Sequence, residues 1–546
     1  MFRITIKGGS TKQKNSLPKS RYLTKEKIPY IIFLIIILYS LLYSAFYAIG
    51  PSDQGDDIAY ANYAHQVAIG TFTQNIDALS IRILQIIPIG IFYKLFGTNI
   101  YSSAAWDLTS FVLSVAITFF IGKELYNEYV GVLAAFLLAI FPMFAIYSTT
   151  MSDNPPLVLF ISITLLAFIY GTKRNSRFWY FISGLSFLIM PYVTPLGFIV
   201  WILGIIFIII ELVRRKFVIN KVTINIFYGF LAGFILLSLF NYINCGNPII
   251  TITENFGFFS QTNRPDVTPL PLIPALEFYP QVLFPYNFSN SSLVYALFQS
   301  YQEGFNKVSI FFYVFSIAGL YLIIKRDRRA YIPIFWSVTG ILLLILGPQS
   351  IKINPFVYVI SHRLDRYTTI VGPTICIVIA SAIVKIVQDS KKKFQLVKLA
   401  LCFALIILIT FTSIQIINFW YQLNVASQYD QIHIADYISS LPNSTKIYIS
   451  SGMGNVAIYA DYNNLSRFYF GYGGVSNCHE IPDGSYVVMP RYENDGYNYT
   501  PNPLAYCSYW QLTLSPVYPN LSRALTPIEM PFAANLYYIP KNNQTS

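Results

Sequence analysis

Long apolar runs set the pattern of this chain. Pro29 to Ile49 carries no charged side chain, which is enough for a helix to cross a hydrocarbon core about 30 Å thick. Runs of this kind recur and predict about eleven transmembrane helices, near 29–49, 102–121, 130–147, 156–171, 178–193, 195–212, 224–243, 308–324, 331–347, 367–384 and 399–419. The first follows a basic tail and is too long for the apolar core of a cleaved signal, so it reads as an anchor. Beyond Trp420 hydropathy drops and the period changes. An amphipathic helix is expected over Tyr429–Leu441. Strand-like runs follow at Lys446–Ser450, Val456–Tyr459, Arg467–Gly471, Ser485–Met489 and Leu536–Ile539, with Gly, Asn and Pro between them. The expected organisation is a cytoplasmic tail over 1–28, a transmembrane domain over 29–420 and a soluble α/β or β-rich domain over 421–546.

Composition sharpens the class. The chain is 55% hydrophobic and 11% charged, whereas soluble domains are about a quarter charged, which excludes an ordinary soluble enzyme. The net charge of +12 does not mark a nucleic-acid partner. With the N-terminus inside, 25 of the 37 Lys and Arg fall in the tail and the short cytoplasmic links, while most acids fall outside. That is the asymmetry of the positive-inside rule, and it puts the C-terminal domain outside. Seven Asn-x-Ser/Thr sequons, beginning at Asn287, Asn290, Asn443, Asn464, Asn498, Asn520 and Asn543, all lie on the same expected exterior. Cys478 and Cys507 are also exterior, where a bridge between them is chemically permitted.

Candidate chemistry gathers at the outer boundary. The first exterior loop carries Asp56-Asp57 at the start of a helix expected to run to about Ile69 in the interface plane. Capping is the plain reading of acids there. Arg82 then precedes a short apolar segment ending Lys94-Leu-Phe-Gly97, expected as a second interfacial or re-entrant helix. Arg82 is either a phosphate ligand or a snorkelling anchor. Asp153 precedes Asn-Pro-Pro at the next exterior turn, again a natural helix-start acid. Further on, Ser361-His362-Arg363-Leu-Asp365-Arg366-Tyr367 concentrates positive charge at the outer lip of a span, which suits a phosphate held at headgroup level or ion pairing with Asp365 and lipid. Asp107 lies near the outer end of the second span, where an acid is costly in lipid and a structural hydrogen bond is its plain role.

These motifs, in this order, resemble the GT-C glycosyltransferases, specifically the dolichyl-phosphate-mannose protein mannosyltransferase and aminoarabinose (lipid A) transferase branch. The likeness covers roughly 25–200 well and 360–390 moderately. In that family an Asp-Glu pair opens the first exterior loop, and its Asp is the base. Asp56 matches that Asp, while Asp57 stands where Glu is usual, so the choice between the two stays open. The aminoarabinose enzymes have Lys-Pro-Pro where this chain has Arg82-Ile-Leu. The resemblance implies a polytopic GT-C-like fold and a membrane glycosyltransferase, and the lack of internal-membrane retrieval signals separately points to the cell surface. Such an enzyme would move a sugar from a polyprenyl (dolichyl) phosphate donor to an acceptor hydroxyl outside, with inversion. Asp56, Asp57 and Asp153 are the expected catalytic acids. Arg82, His362, Arg363, Arg366 and Tyr367 are the expected phosphate-binding set. Related oligosaccharyltransferases hold a divalent metal, for which Asp56, Asp57 and Asp153 would be the ligands here. Their Trp-Trp-Asp acceptor motif is absent. Expected partners are the lipid-linked donor, membrane lipids and a glycan, lipid or protein acceptor. Two other readings are a transporter or lipid-carrier flippase whose exterior domain binds glycan, and an inactive GT-C relative acting as a scaffold. The uncharged spans count against the first and the surviving acids against the second.

Overall fold

The computed structural model describes residues 27–51, 56–74, 79–214, 221–260, 309–346, 350–352, 357–359, 365–389, 392–450, 455–461, 467–472, 481–490, 511–514 and 534–540. Its helices are α1 (Ile28–Phe46), α2 (Asp56–Ile69), α3 (Ile83–Phe96), α4 (Ile100–Leu125), α5 (Glu128–Ala139), α6 (Pro142–Tyr147), α7 (Asn154–Arg174) and α8 (Arg177–Leu188). They continue as α9 (Leu196–Arg214), α10 (Lys221–Cys245), α11 (Ile250–Ser260), α12 (Ser309–Ile324), α13 (Tyr331–Leu346), α14 (Gly372–Gln388), α15 (Lys392–Ser439) and α16 (Asn455–Asp461).

Among the described residues, six helical segments are long and apolar enough to cross a membrane: Ile28–Phe46, Ile100–Leu125, Asn154–Arg174, Val222–Cys245, Tyr367–Gln388 and Phe394–Gln422. Other expected spans are shorter or broken. The run over 130–147 divides at Pro142, which opens α6 because proline lacks the N–H that would continue α5. The run over 178–193 ends in a 3-10 turn, Met190–Tyr192, built on Pro191. Large apolar side chains on α1, α10 and α15 face outward, among them Leu34, Leu236, Leu396 and Leu401, as helices against lipid require. The bundle core is packed from α4, α5, α6, α7 and α14, with Phe111, Phe144, Leu157, Ile375 and Val378 fully buried.

The polar C-terminal part is a five-stranded sheet. Its strands are β3 (Ile447–Ser450), β4 (Phe468–Tyr472), β5 (Tyr486–Pro490), β6 (Gln511–Leu514) and β7 (Ala534–Tyr538), and β1 (Ser350–Lys352) and β2 (Val357–Val359) form a separate antiparallel ribbon. The order is β4-β3-β5-β7-β6, with β3 parallel to β4 and β5 and the other pairs antiparallel. Ile447, Ile449, Val488 and Leu536 turn toward Ile434, Ala435 and Ile438 of α15 and Val456 and Ala457 of α16.

Three expectations change here. Val456–Tyr459 is helical, because Val456 and Ala457 pack as one helical face onto the sheet rather than alternating across it. The strand Gln511–Leu514 has a short, weakly apolar sequence that periodicity does not mark. The helix expected over 429–441 is the end of α15, which runs unbroken from the membrane segment through position 420 into the sheet domain. The Cys478 and Cys507 positions lie outside the described residues.

Candidate functional site

The acids expected on two exterior loops meet on one arginine. Asp56 and Asp57 open α2, where exposed N–H groups favour negative charge. Tyr60 follows Asp56 by one helical turn, so the two share a face. Helix α3 packs on α2 closely enough that a Cβ at Gly90 would lie 2.6 Å from Val67 Cβ. That contact places Arg82, the N-cap residue of α3, beside the Asp56–Tyr60 face. Tyr60, Ala61, Ala64, Ile86, Ile89, Tyr93 and Met151 form a small core of their own beneath this corner.

Arg82 Nη1 donates to Asp56 Oδ2 at 3.2 Å and to Asp153 Oδ2 at 3.1 Å, and it also donates to the Tyr60 hydroxyl. Tyr60 Oη lies 3.5 Å from Asp153 Oδ2. The arginine side chain is 5% exposed and that of Asp153 8%, whereas Asp56 is 36% exposed and open to solvent. Burial works against the guanidinium charge, but Tyr60, Asp56 and Asp153 more than reverse that and hold it above the usual arginine value. Arg82 Nε is buried without a hydrogen-bond partner among the described residues. A buried donor in that state costs free energy unless a ligand meets it.

Asp153 occupies an N-cap position but makes no side-chain cap bond, so the capping reading does not hold for it. Its turn is fixed from below instead. Asp107 Oδ2 accepts the Ser152 backbone N–H at 2.8 Å. Gln85 Nε2 bridges Asp107 Oδ1 at 3.4 Å and the Ser152 carbonyl at 3.2 Å. Asp107 is fully buried and has the structural role expected of it. Tyr60 and Gln85 are site residues that the sequence reading passed over. The Asp56–Tyr60 spacing carried a signal for the first, while a single Gln in an apolar run carried none for the second.

Asp57 is 4% exposed. Its charge adds to burial in raising Tyr93 and also Tyr459 of the sheet domain. The other expected phosphate ligands are only partly placed. His362 and Arg363 lie outside the described residues. Arg366 and Tyr367 fall in a 3-10 segment, Asp365–Val371, which packs against α6 and α7 and so adjoins the Asp153 turn. Tyr367 is half-buried against the bundle core. The three acids do not fit a resident divalent cation as arranged. The Arg82 guanidinium stands between Asp56 and Asp153, and among the described residues no group of three His, Cys, Asp or Glu side chains is placed to hold a metal.

Known proteins share this architecture. The family model of dolichyl-phosphate-mannose-protein mannosyltransferases matches residues 87–241. The structure of ArnT from Cupriavidus metallidurans in the apo state superposes with a TM-score of 0.55 at 11% identity, over 93% of this chain and 97% of that one. The same protein bound to undecaprenyl phosphate gives 0.52 at 11% identity over the same shares. The Archaeoglobus fulgidus oligosaccharyltransferase, tethered with an acceptor peptide, gives 0.51 at 12% identity, over 85% of this chain and 70% of that one. No curated protein sequence matches this chain. The fold is therefore that of the multi-pass GT-C membrane glycosyltransferases. The family match covers one segment of the chain, and the structural likeness extends the shared fold over most of its length.

Proposed function

We propose that this protein transfers one sugar from a polyprenyl (dolichyl) phosphate donor to an acceptor hydroxyl on the extracytoplasmic face of the plasma membrane, with Asp56 as general base. The observation that carries this reading is the Arg82-linked pair of carboxylates, drawn from two exterior loops and set at the outer helix ends. The family description names a dolichyl-phosphate sugar, and ArnT binds undecaprenyl phosphate; both support a lipid-phosphate donor.

Asp56 is favoured over Asp57 because it is the more exposed acid and is oriented by Arg82, so an acceptor hydroxyl can reach it. The acceptor oxygen forms its bond to the anomeric carbon as the bond from that carbon to the phosphate oxygen breaks. The hydroxyl proton passes to the Asp56 carboxylate, and the bonding pair leaves with the polyprenyl phosphate. Attack opposite the leaving group inverts the anomeric centre. Negative charge grows on the departing phosphate, and the unpartnered Nε of Arg82 is a preorganised donor for it. Arg366 and Tyr367, with His362 and Arg363 before them, complete the proposed phosphate site. No step is assigned to a metal ion.

The test is a transfer assay on purified protein, with radiolabelled polyprenyl-phosphate sugars and total membrane acceptors. Wild type should consume one donor, and Asp56→Asn should slow transfer by about 10²–10⁴-fold while still binding the lipid. Donor that is bound and never consumed would overturn the transferase reading. A full loss in Asp57→Asn alone would move the base to Asp57.

A further inference from the structure

The sheet domain reaches back to the acidic loop through two side chains. The extended segment that leaves α1 runs through Ile49, Gly50 and Pro51, five residues before Asp56. On one edge it is bound to the second acid turn: Ile49 N–H donates to the Thr149 carbonyl at 2.8 Å, and Gly50 bridges Thr150 in parallel register. Thr149 lies four residues before Asp153. On the other edge stand Gln428 of α15 and Tyr459 of α16. Gln428 Nε2 donates to the Pro51 carbonyl at 3.1 Å. The Tyr459 hydroxyl lies 3.1 Å from that same carbonyl, 3.1 Å from Gln428 Oε1 and 3.4 Å from the Ile49 carbonyl. Gln428 is 2% exposed.

We propose that Gln428 and Tyr459 are positioning residues through which the exterior domain fixes Asp56 against Arg82 and the Asp153 turn. Asp56 follows shortly after a segment clamped between the Asp153 turn and the exterior domain. A shift of that segment moves Asp56 relative to its partners without touching any of them. Catalytic geometry tolerates little of this, since a displacement of about 1 Å can cost about a hundredfold in rate. The clamp is polar and buried, and both of its side chains reach the Pro51 carbonyl, so losing the two together takes both donors from it. Burial, with the Asp57 charge adding to it, raises the Tyr459 phenol, so this residue stays a neutral donor. Lower down the same junction, Tyr47 at the end of α1 meets Tyr421 of α15 edge to face at 4.4 Å, which joins the two helices without the clamp. Removing the clamp therefore frees the loop while the domain stays attached.

The kinetic part of this proposal rests on the transferase reading, and the experiment separates the two. Full-length wild type, Tyr459→Phe, Gln428→Leu and the double variant are compared by hydrogen exchange over residues 47–60 and by transfer kinetics. The phenylalanine keeps the ring and removes only the hydroxyl. Faster exchange over 47–60 is expected, with kcat lower by about tenfold, donor KM unchanged and the double variant no worse than the poorer single one. Should Tyr459→Phe fail to fold, Gln428→Leu carries the comparison. Unchanged exchange in folded variants overturns the clamp. Faster exchange with wild-type kcat overturns its positioning role. A wild type that transfers no sugar overturns the transferase reading, and exchange alone then decides whether the clamp exists.

Discussion

At the scale of single residues, the site turns on one guanidinium that serves two carboxylates. Arg82 and Asp153 are both buried, and a buried pair owes most of its mutational cost to the partner left uncompensated. Arg82→Ala strands Asp153 in the interior beside Asp56. It should destabilise the protein by about 3–5 kcal/mol, with most of that from the Asp153 side because Asp56 is partly solvated. Arg82→Lys keeps the charge but replaces a planar fork with a point donor, so it should recover part of the loss and fall short of wild type. Thermal unfolding in detergent checks both. Equal melting temperatures for Arg82→Ala and wild type would show that the pair contributes nothing. Asp56, Asp57, Asp153 and Arg82 were all legible in the sequence as charged residues at apolar-run boundaries. Their pairing was not, because it depends on contacts between residues 26 and 71 positions apart along the chain.

Among the elements, what matters is how helix ends are brought to one corner. The segment after α1 turns at Gly50, whose φ is +72, and a Cβ there would sit 3.3 Å from Ile100 Cα. Gly70 has φ +77 with nothing within 4 Å of its Cβ position. Alanine at either position takes on the cost of a left-handed backbone, about 1–2 kcal/mol. Gly50→Ala adds a contact with backbone that cannot move aside. It should therefore melt lower than Gly70→Ala and transfer sugar more slowly, whereas equal behaviour would remove the contact from the account. The helices α2, α3 and α7 were legible from their apolar positions and from the charged residues at their starts. The break at Pro142 and the helix at Asn455–Asp461 were not. A run of apolar residues fits an unbroken span or a strand equally well until its neighbours select one face.

For the whole molecule, the cytoplasmic side expected from charge has its own lock. Asp327, in the link between α12 and α13, accepts from Lys385 Nζ at 2.7 Å at the end of α14 and from Arg329 Nε at 3.3 Å. Burial would raise this carboxyl, but Lys385 and Arg329 outweigh it and hold it below the usual aspartate value. A carboxyl depressed in the folded state stabilises above its unfolded value and loses that contribution as pH falls through its folded value. The gap in melting temperature between wild type and Asp327→Asn should be full at neutral pH and shrink below about pH 4. A gap that does not change with pH would mean that Asp327 acts through packing alone.

The sequence by itself determined the membrane class, the orientation argument, the polar C-terminal domain and the identity of the acids. Those follow from local hydropathy, charge and turn chemistry, which need no partner. Only the tertiary structure decided that Asp56 and Asp153 share Arg82, and that Tyr60, Asp107 and Gln85 hold the corner together. It also decided that Gln428 of α15 and Tyr459 of α16 meet the chain just before the first loop's acids. Each of these is a buried or half-buried polar contact between residues far apart in the chain. An isolated polar residue in an apolar sequence does not name its partner, and packing alone brings the partner within reach.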